Sequence, residues 1–153
     1  MDFLVFVILR IKLARNSPCK GNIANAKEYI KGWPLVSYEH LQLADVGFEI
    51  AAKSCKGKYK LNANIMAGII NYKLSNYIEA STNFKQAFID TNYASKDAIT
   101  LYLMAAAKMG MMSDKYYFMV SYSNDPAVYK KVFFELDQHI LDIAKEYIKT
   151  KKV

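Results

Sequence analysis

Apolar positions recur at helical spacing along most of this chain. Residues 22–31 (NIANAKEYIK) make a short amphipathic stretch, ended by Gly32-Trp33-Pro34, which no helix traverses. Ser37 then stands as an N-cap for a longer helix over 38–54, with Leu41, Ala44, Phe48 and Ala51 on one stripe. Cys55-Lys56-Gly57 breaks the pattern. The spacing predicts a helix over 62–74, a tight turn at Ser75-Asn76, and an antiparallel partner over 77–90 that carries Ala80, Phe84 and Ala87. Another helix, 96–110, shows Ile99, Leu103 and Ala106 at helical spacing, and its partner over 113–122 is less regular and crowded with aromatics. Asp125-Pro126 is a start signal, with Asp125 as cap and Pro126 in the first turn. The helix it opens runs towards Lys149, with Val132, Phe133, Leu136, Ile140, Ile143, Ala144, Tyr147 and Ile148 on a broad apolar face. The one β-like run is Phe3 to Leu9, so the pattern predicts an all-α protein of about seven helices.

The stripes also repeat. Ala44, Phe48 and Ala51 recur 36 residues on as Ala80, Phe84 and Ala87, as does Gly32 as Gly68 and Cys19-Lys20-Gly21 as Cys55-Lys56-Gly57. Self-similarity at such a period marks a stacked architecture, here an α-solenoid of antiparallel helix pairs in about three units. The Ala-x3-Phe-x2-Ala spacing sets one aromatic between small residues on a single helix face, which lets neighbouring helices approach closely. One unit cannot bury its own face, so the units must stack, and the helix from Pro126 is expected to cap the last apolar edge. A non-repeat helical bundle is the alternative.

The stretch Asn64-Ile65-Met66-Ala67-Gly68-Ile69-Ile70-Asn71-Tyr72-Lys73-Leu74-Ser75-Asn76-Tyr77-Ile78-Glu79-Ala80, completed by Phe84 and Ala87, resembles a tetratricopeptide (TPR) repeat. It departs from that family at Asn64, where Trp is common, at Ala67, where Leu is usual, and at Asn92, where Pro closes the unit. The units on either side are degenerate: Trp33-Pro34 interrupts the first, and Lys115 and Met119 replace the small residue and the aromatic of the third. The resemblance implies a right-handed solenoid whose partners lie in a concave groove lined by the first helix of each pair. The matching positions are Asn62, Ile65, Ile69, Tyr72 and Lys73, followed by Asp97, Thr100, Met104 and Lys108. Family members that clamp terminal carboxylates use Lys and Asn there. Ile65, Ile69 and Met104 replace that set, which puts a carboxylate clamp in doubt. An apolar groove flanked by Lys73 and Lys108 suits an amphipathic helix or an extended segment with acidic flanks. The competing account has the final helix or the leader filling the groove.

Composition narrows the function further. No stretch approaches the roughly 20 apolar residues that a membrane-spanning helix needs. The formal charge of +7 favours acidic partners or anionic surfaces, and Arg10 and Arg15 are its only arginines. Sequence-specific nucleic-acid reading leans on guanidinium forks, so it is not expected. Lys56, Lys58 and Lys60 surround Tyr59 in one predicted loop, and Lys149, Lys151 and Lys152 end the chain. Such groups hold phosphates or lipid headgroups, or are simply solvated. Residues 1–18 divide from the repeat domain of 19–153: an apolar run followed by Arg10, Lys12 and Arg15 admits a degenerate export leader, a membrane-surface segment or a packed first helix.

Catalytic signals are weak. His40 and His139 stand alone on predicted helices, and no phosphate loop, nucleophile elbow or zinc spacing occurs in the sequence. No enzyme activity, cofactor or metal is expected. Cys19 precedes the first predicted helix and Cys55 follows the second, so an antiparallel hairpin brings them to one end. They either form a disulfide, which requires an oxidising compartment, or remain free thiols in a cytosolic protein. Exported and cytoplasmic locations both stay open, as does the oligomeric state. The expected function is a non-catalytic scaffold that binds a protein or peptide in its groove. The alternative is a membrane-surface or anionic-polymer binder that uses the leader and the basic loop and tail.

Overall fold

Helix ends in this chain fall where capping chemistry is supplied. The computed structural model describes residues 18–111 and 114–151 (backbone only at 143, 144, 147, 148, 150 and 151). Among the described residues are seven helices and no strand: α1 (Pro18–Tyr29), α2 (Tyr38–Ser54), α3 (Gly57–Lys73), α4 (Tyr77–Asp90), α5 (Lys96–Lys108), α6 (Asp114–Ser121) and α7 (Pro126–Lys151). The Ser37 hydroxyl accepts from the His40 N–H at 3.2 Å, Ser95 from Ala98 at 3.1 Å, and the Asp125 carboxylate from Ala127 at 3.0 Å. Each satisfies a donor that a helix start leaves unpaired. Past the end of α5, Gly110 sits at φ +82 and the Met111 N–H returns to the Ala106 carbonyl at 3.2 Å, the left-handed closure that favours glycine.

Two helices start earlier than their periodicity predicts. α1 already includes Pro18, ahead of the predicted Asn22. α3 opens at Gly57 rather than Asn62, because Gly57 takes φ +59 and turns the extended Cys55-Lys56 backbone straight into the helix. Lys58, Tyr59 and Lys60 therefore belong to the first turn of α3 and not to a loop. The predicted leader, the start of α6 at Ser113 and the tail residue Lys152 lie outside the described residues. So do the side chains of Ile143, Ala144, Tyr147 and Ile148.

Consecutive helices pack as antiparallel pairs, α1 on α2, α3 on α4 and α5 on α6, and the pairs join through α2 on α3 and α4 on α5. This is an all-α solenoid. Its repeat stripes are fully buried: Ala44, Phe48, Ala51, Ala80, Phe84 and Ala87 all expose 1% or less. Gly68 lies under the Phe84 ring, where an added Cβ would come within 2.7 Å of Cδ1. The aromatic knob therefore rests directly on the α3 backbone. Gly32 does not repeat that role. Because α1 stops at Tyr29, Gly32 falls in the turn beyond it at φ +92. In the first pair the close approach is made by Gly47, whose added Cβ would meet Ala26 Cβ at 2.9 Å.

The core is unequal along the stack. A large cluster joins Phe84 and Phe88 of α4, Ile99, Tyr102 and Leu103 of α5, Val120 of α6, and Val132, Phe133 and Leu136 of α7. Phe133 is its hub, with ring centroids 5.3 Å from Phe88 and 5.5 Å from Tyr102. Asp137 of α7 accepts from Lys85 of α4 at 3.0 Å and from the Tyr102 hydroxyl of α5 at 3.1 Å. Burial, and then that carboxylate, hold the Tyr102 hydroxyl far above its ordinary pKa. The final helix thus seals the last units, reaching back to α4. The first pair has only a small cluster of Ala26, Leu41, Ala44, Phe48, Ala67 and Ile70, beside a second one around Cys55.

Candidate functional site

α3 and α5 run in the same direction, since one antiparallel helix separates them. Ile65, Ile69 and Tyr72 of α3 are half-buried, packed on their inner side against the large core. The Tyr72 ring also meets Tyr77 edge-on at 5.4 Å. Asn62 and Lys73 of the same helix are exposed. On α5, Asp97 and Lys108 are exposed, Met104 is 42% exposed, and the half-buried Thr100 donates its hydroxyl to the Lys96 carbonyl at 2.7 Å. Lys73 and Lys108 are the last residues of their helices and lie at the same end. Every predicted groove position thus reaches the surface. Ile65, Ile69 and Tyr72 come together as one row, but part of each is already used in internal packing.

A second polar site escapes the periodicity. Between the pairs, Asn71 of α3 donates to Asp45 of α2 at 3.0 Å, to the Ala67 carbonyl at 3.0 Å and to Asn83 of α4 at 3.2 Å. Asn83 in turn donates to Glu49 at 2.8 Å. Asn71 and Asn83 are buried and hold the first two units in register through side-chain amides. Burial, with Glu49 and Glu79 nearby, pushes the Asp45 carboxyl up to about 6, against the lowering effect of its hydrogen bond from Asn71. Next to this seam a cleft of about 380 Å³ is lined by Glu49, Lys53, Lys60, Asn64, Asn83 and Gln86 among others. The Asn64 amide nitrogen is buried there with no hydrogen-bond partner among the described residues. The signal in the sequence was Asn64, Ala67 and Asn71 at spacings of three and four, which set two amides on the stripe of a buried alanine.

Cys19 of α1 and Cys55 at the end of α2 are joined by a disulfide. His40 is exposed with its ring 5.8 Å from that of Tyr29, and His139 is exposed on α7. Among the described residues no cluster of His, Cys, Asp or Glu is arranged to hold a metal ion, and no helix is long and apolar enough to cross a membrane. Comparison with protein-family models, with curated proteins and with solved structures finds no match to this chain.

Proposed function

We propose that this protein is a non-catalytic interaction module of TPR type, which holds an amphipathic helix or an extended segment against α3 and α5. The observation that carries the reading is the half-buried row Ile65, Ile69 and Tyr72 of α3, together with the exposed Met104 of α5. An apolar strip on the first helices of a solenoid offers area for burial without costing the fold its core. Lys73 and Lys108 at one end of that strip favour acidic flanks on the ligand and orient it. The family reading is supported by Phe84 seated on Gly68, the small-residue contact that the repeat pattern requires.

Met104 is the better probe, because Ile69 shares the core. Partners captured from native cells by wild type should be lost by Met104→Lys, whose circular dichroism and melting curve should match wild type. Equal retention by the two proteins would overturn the groove assignment.

A further inference from the structure

We infer that the end of the solenoid where α1, α2 and α3 meet is a docking surface for an anionic lipid bilayer. Five lysines converge there, four on α1, α2 and α3 and Lys56 in the link between α2 and α3. Lys53, Lys56, Lys58 and Lys60 line one cleft of about 670 Å³, in which Asp90 is the one carboxylate. Asp90 pairs with Lys60 at 3.4 Å and leaves the other lysines uncompensated in that cleft. Lys20 arrives from α1, with its Nζ 5.4 Å from the centre of the Tyr59 ring, and Lys58 lies over the same ring at 5.8 Å. The Cys19–Cys55 disulfide fixes this convergence by tying the start of α1 to the residue just before α3.

α3 begins at this end with no side-chain cap from Lys56 and no acidic residue in its first turn. The chemistry favours a headgroup layer over a nucleic acid. Lysines are hydrated point charges suited to a diffuse anionic plane, and the described residues here include no arginine fork. Tyr59, 40% exposed among the lysines, has the amphipathic ring that settles at a headgroup boundary.

Co-sedimentation of the full chain with phosphatidylcholine vesicles containing about a third phosphatidylserine tests this. A lysine held at such a surface strengthens binding roughly fivefold, so the triple variant Lys20→Gln, Lys56→Gln, Lys58→Gln should bind about 100-fold more weakly. The charge-matched triple Lys115→Gln, Lys130→Gln, Lys131→Gln should lose much less. Lys56 enters no hydrogen bond or ion pair among the described residues, so Lys56→Gln alone should lose about fivefold with folding intact. Raising salt from about 0.1 M to about 0.5 M should release the wild type. Equal losses from the two triples, equal binding to pure phosphatidylcholine, or binding to duplex DNA but not to vesicles would each overturn the proposal.

Discussion

Asp45→Asn should stabilise the protein at neutral pH and do nothing in acid. The Asp45 carboxyl is half-buried between α2 and α3, and burial with the charges of Glu49 and Glu79 raises it from 3.8 to about 6. A group raised in the folded state binds its proton more tightly there than in the unfolded chain. Below about pH 3 both states are largely protonated and the difference vanishes. As pH rises from about 3 to 6 the unfolded chain ionises first, so stability falls, and the full penalty is present above 6. The difference between 3.8 and about 6 corresponds to roughly 3 kcal/mol. Because Asp45 keeps much of its surface in water, screening leaves about 1 kcal/mol of that. Asparagine retains an oxygen to accept from Asn71, now 3.0 Å away, and loses the charge. Urea unfolding of both proteins at pH 7.5 and about pH 3 measures the effect, with a gain of about 1 kcal/mol expected at the higher pH only. The same shift at both values, or a loss at pH 7.5, would refute the assignment of strain to the buried charge.

Phe84→Ala should cost roughly 3–5 kcal/mol, because the ring is fully buried and its seat on the glycine backbone cannot collapse around a methyl group. Thermal unfolding that matches wild type would remove Phe84 from the joint between units. Replacing both Cys19 and Cys55 by serine opens a loop closed across 36 residues and should cost roughly 3–4 kcal/mol on the chain-entropy account, read by urea unfolding. A mutant as stable as the oxidised parent would show that the bridge contributes nothing.

What could be read from the sequence was whatever depends on local spacing. The buried stripes of α2 and α4 follow from helical period alone, and the caps at Ser37 and Asp125 from residue type. Other features depend on backbone choices with no pattern of their own. Gly57 begins a helix at positive φ without a capping side chain, so the turn holding Tyr59 looked like a loop. Gly32 matches Gly68 in register but falls beyond the short α1, and only the length of that helix decides this. Asn71 and Asn83 carry no signal in the apolar periodicity, because their burial is sustained by hydrogen bonds with partners up to 34 residues away in sequence. The apolar row on α3 was legible from the resemblance. Its partial use against the core was not, since that is settled by neighbouring helices.

The two ends of the stack are closed by different physics, and the size of each core explains the difference. At the C-terminal end α7 brings Val132, Phe133 and Leu136 into one aromatic-rich cluster, so burial alone can hold the last units. At the other end the described residues of α1, Pro18–Tyr29, bury only Ala26 completely. On their own they have little apolar area to offset the entropy of ordering them. The disulfide supplies the missing constraint from the unfolded side of the balance. The Asp45–Asn71–Asn83–Glu49 seam then fixes the register of the first unit on the second through directional contacts where apolar area is scarce.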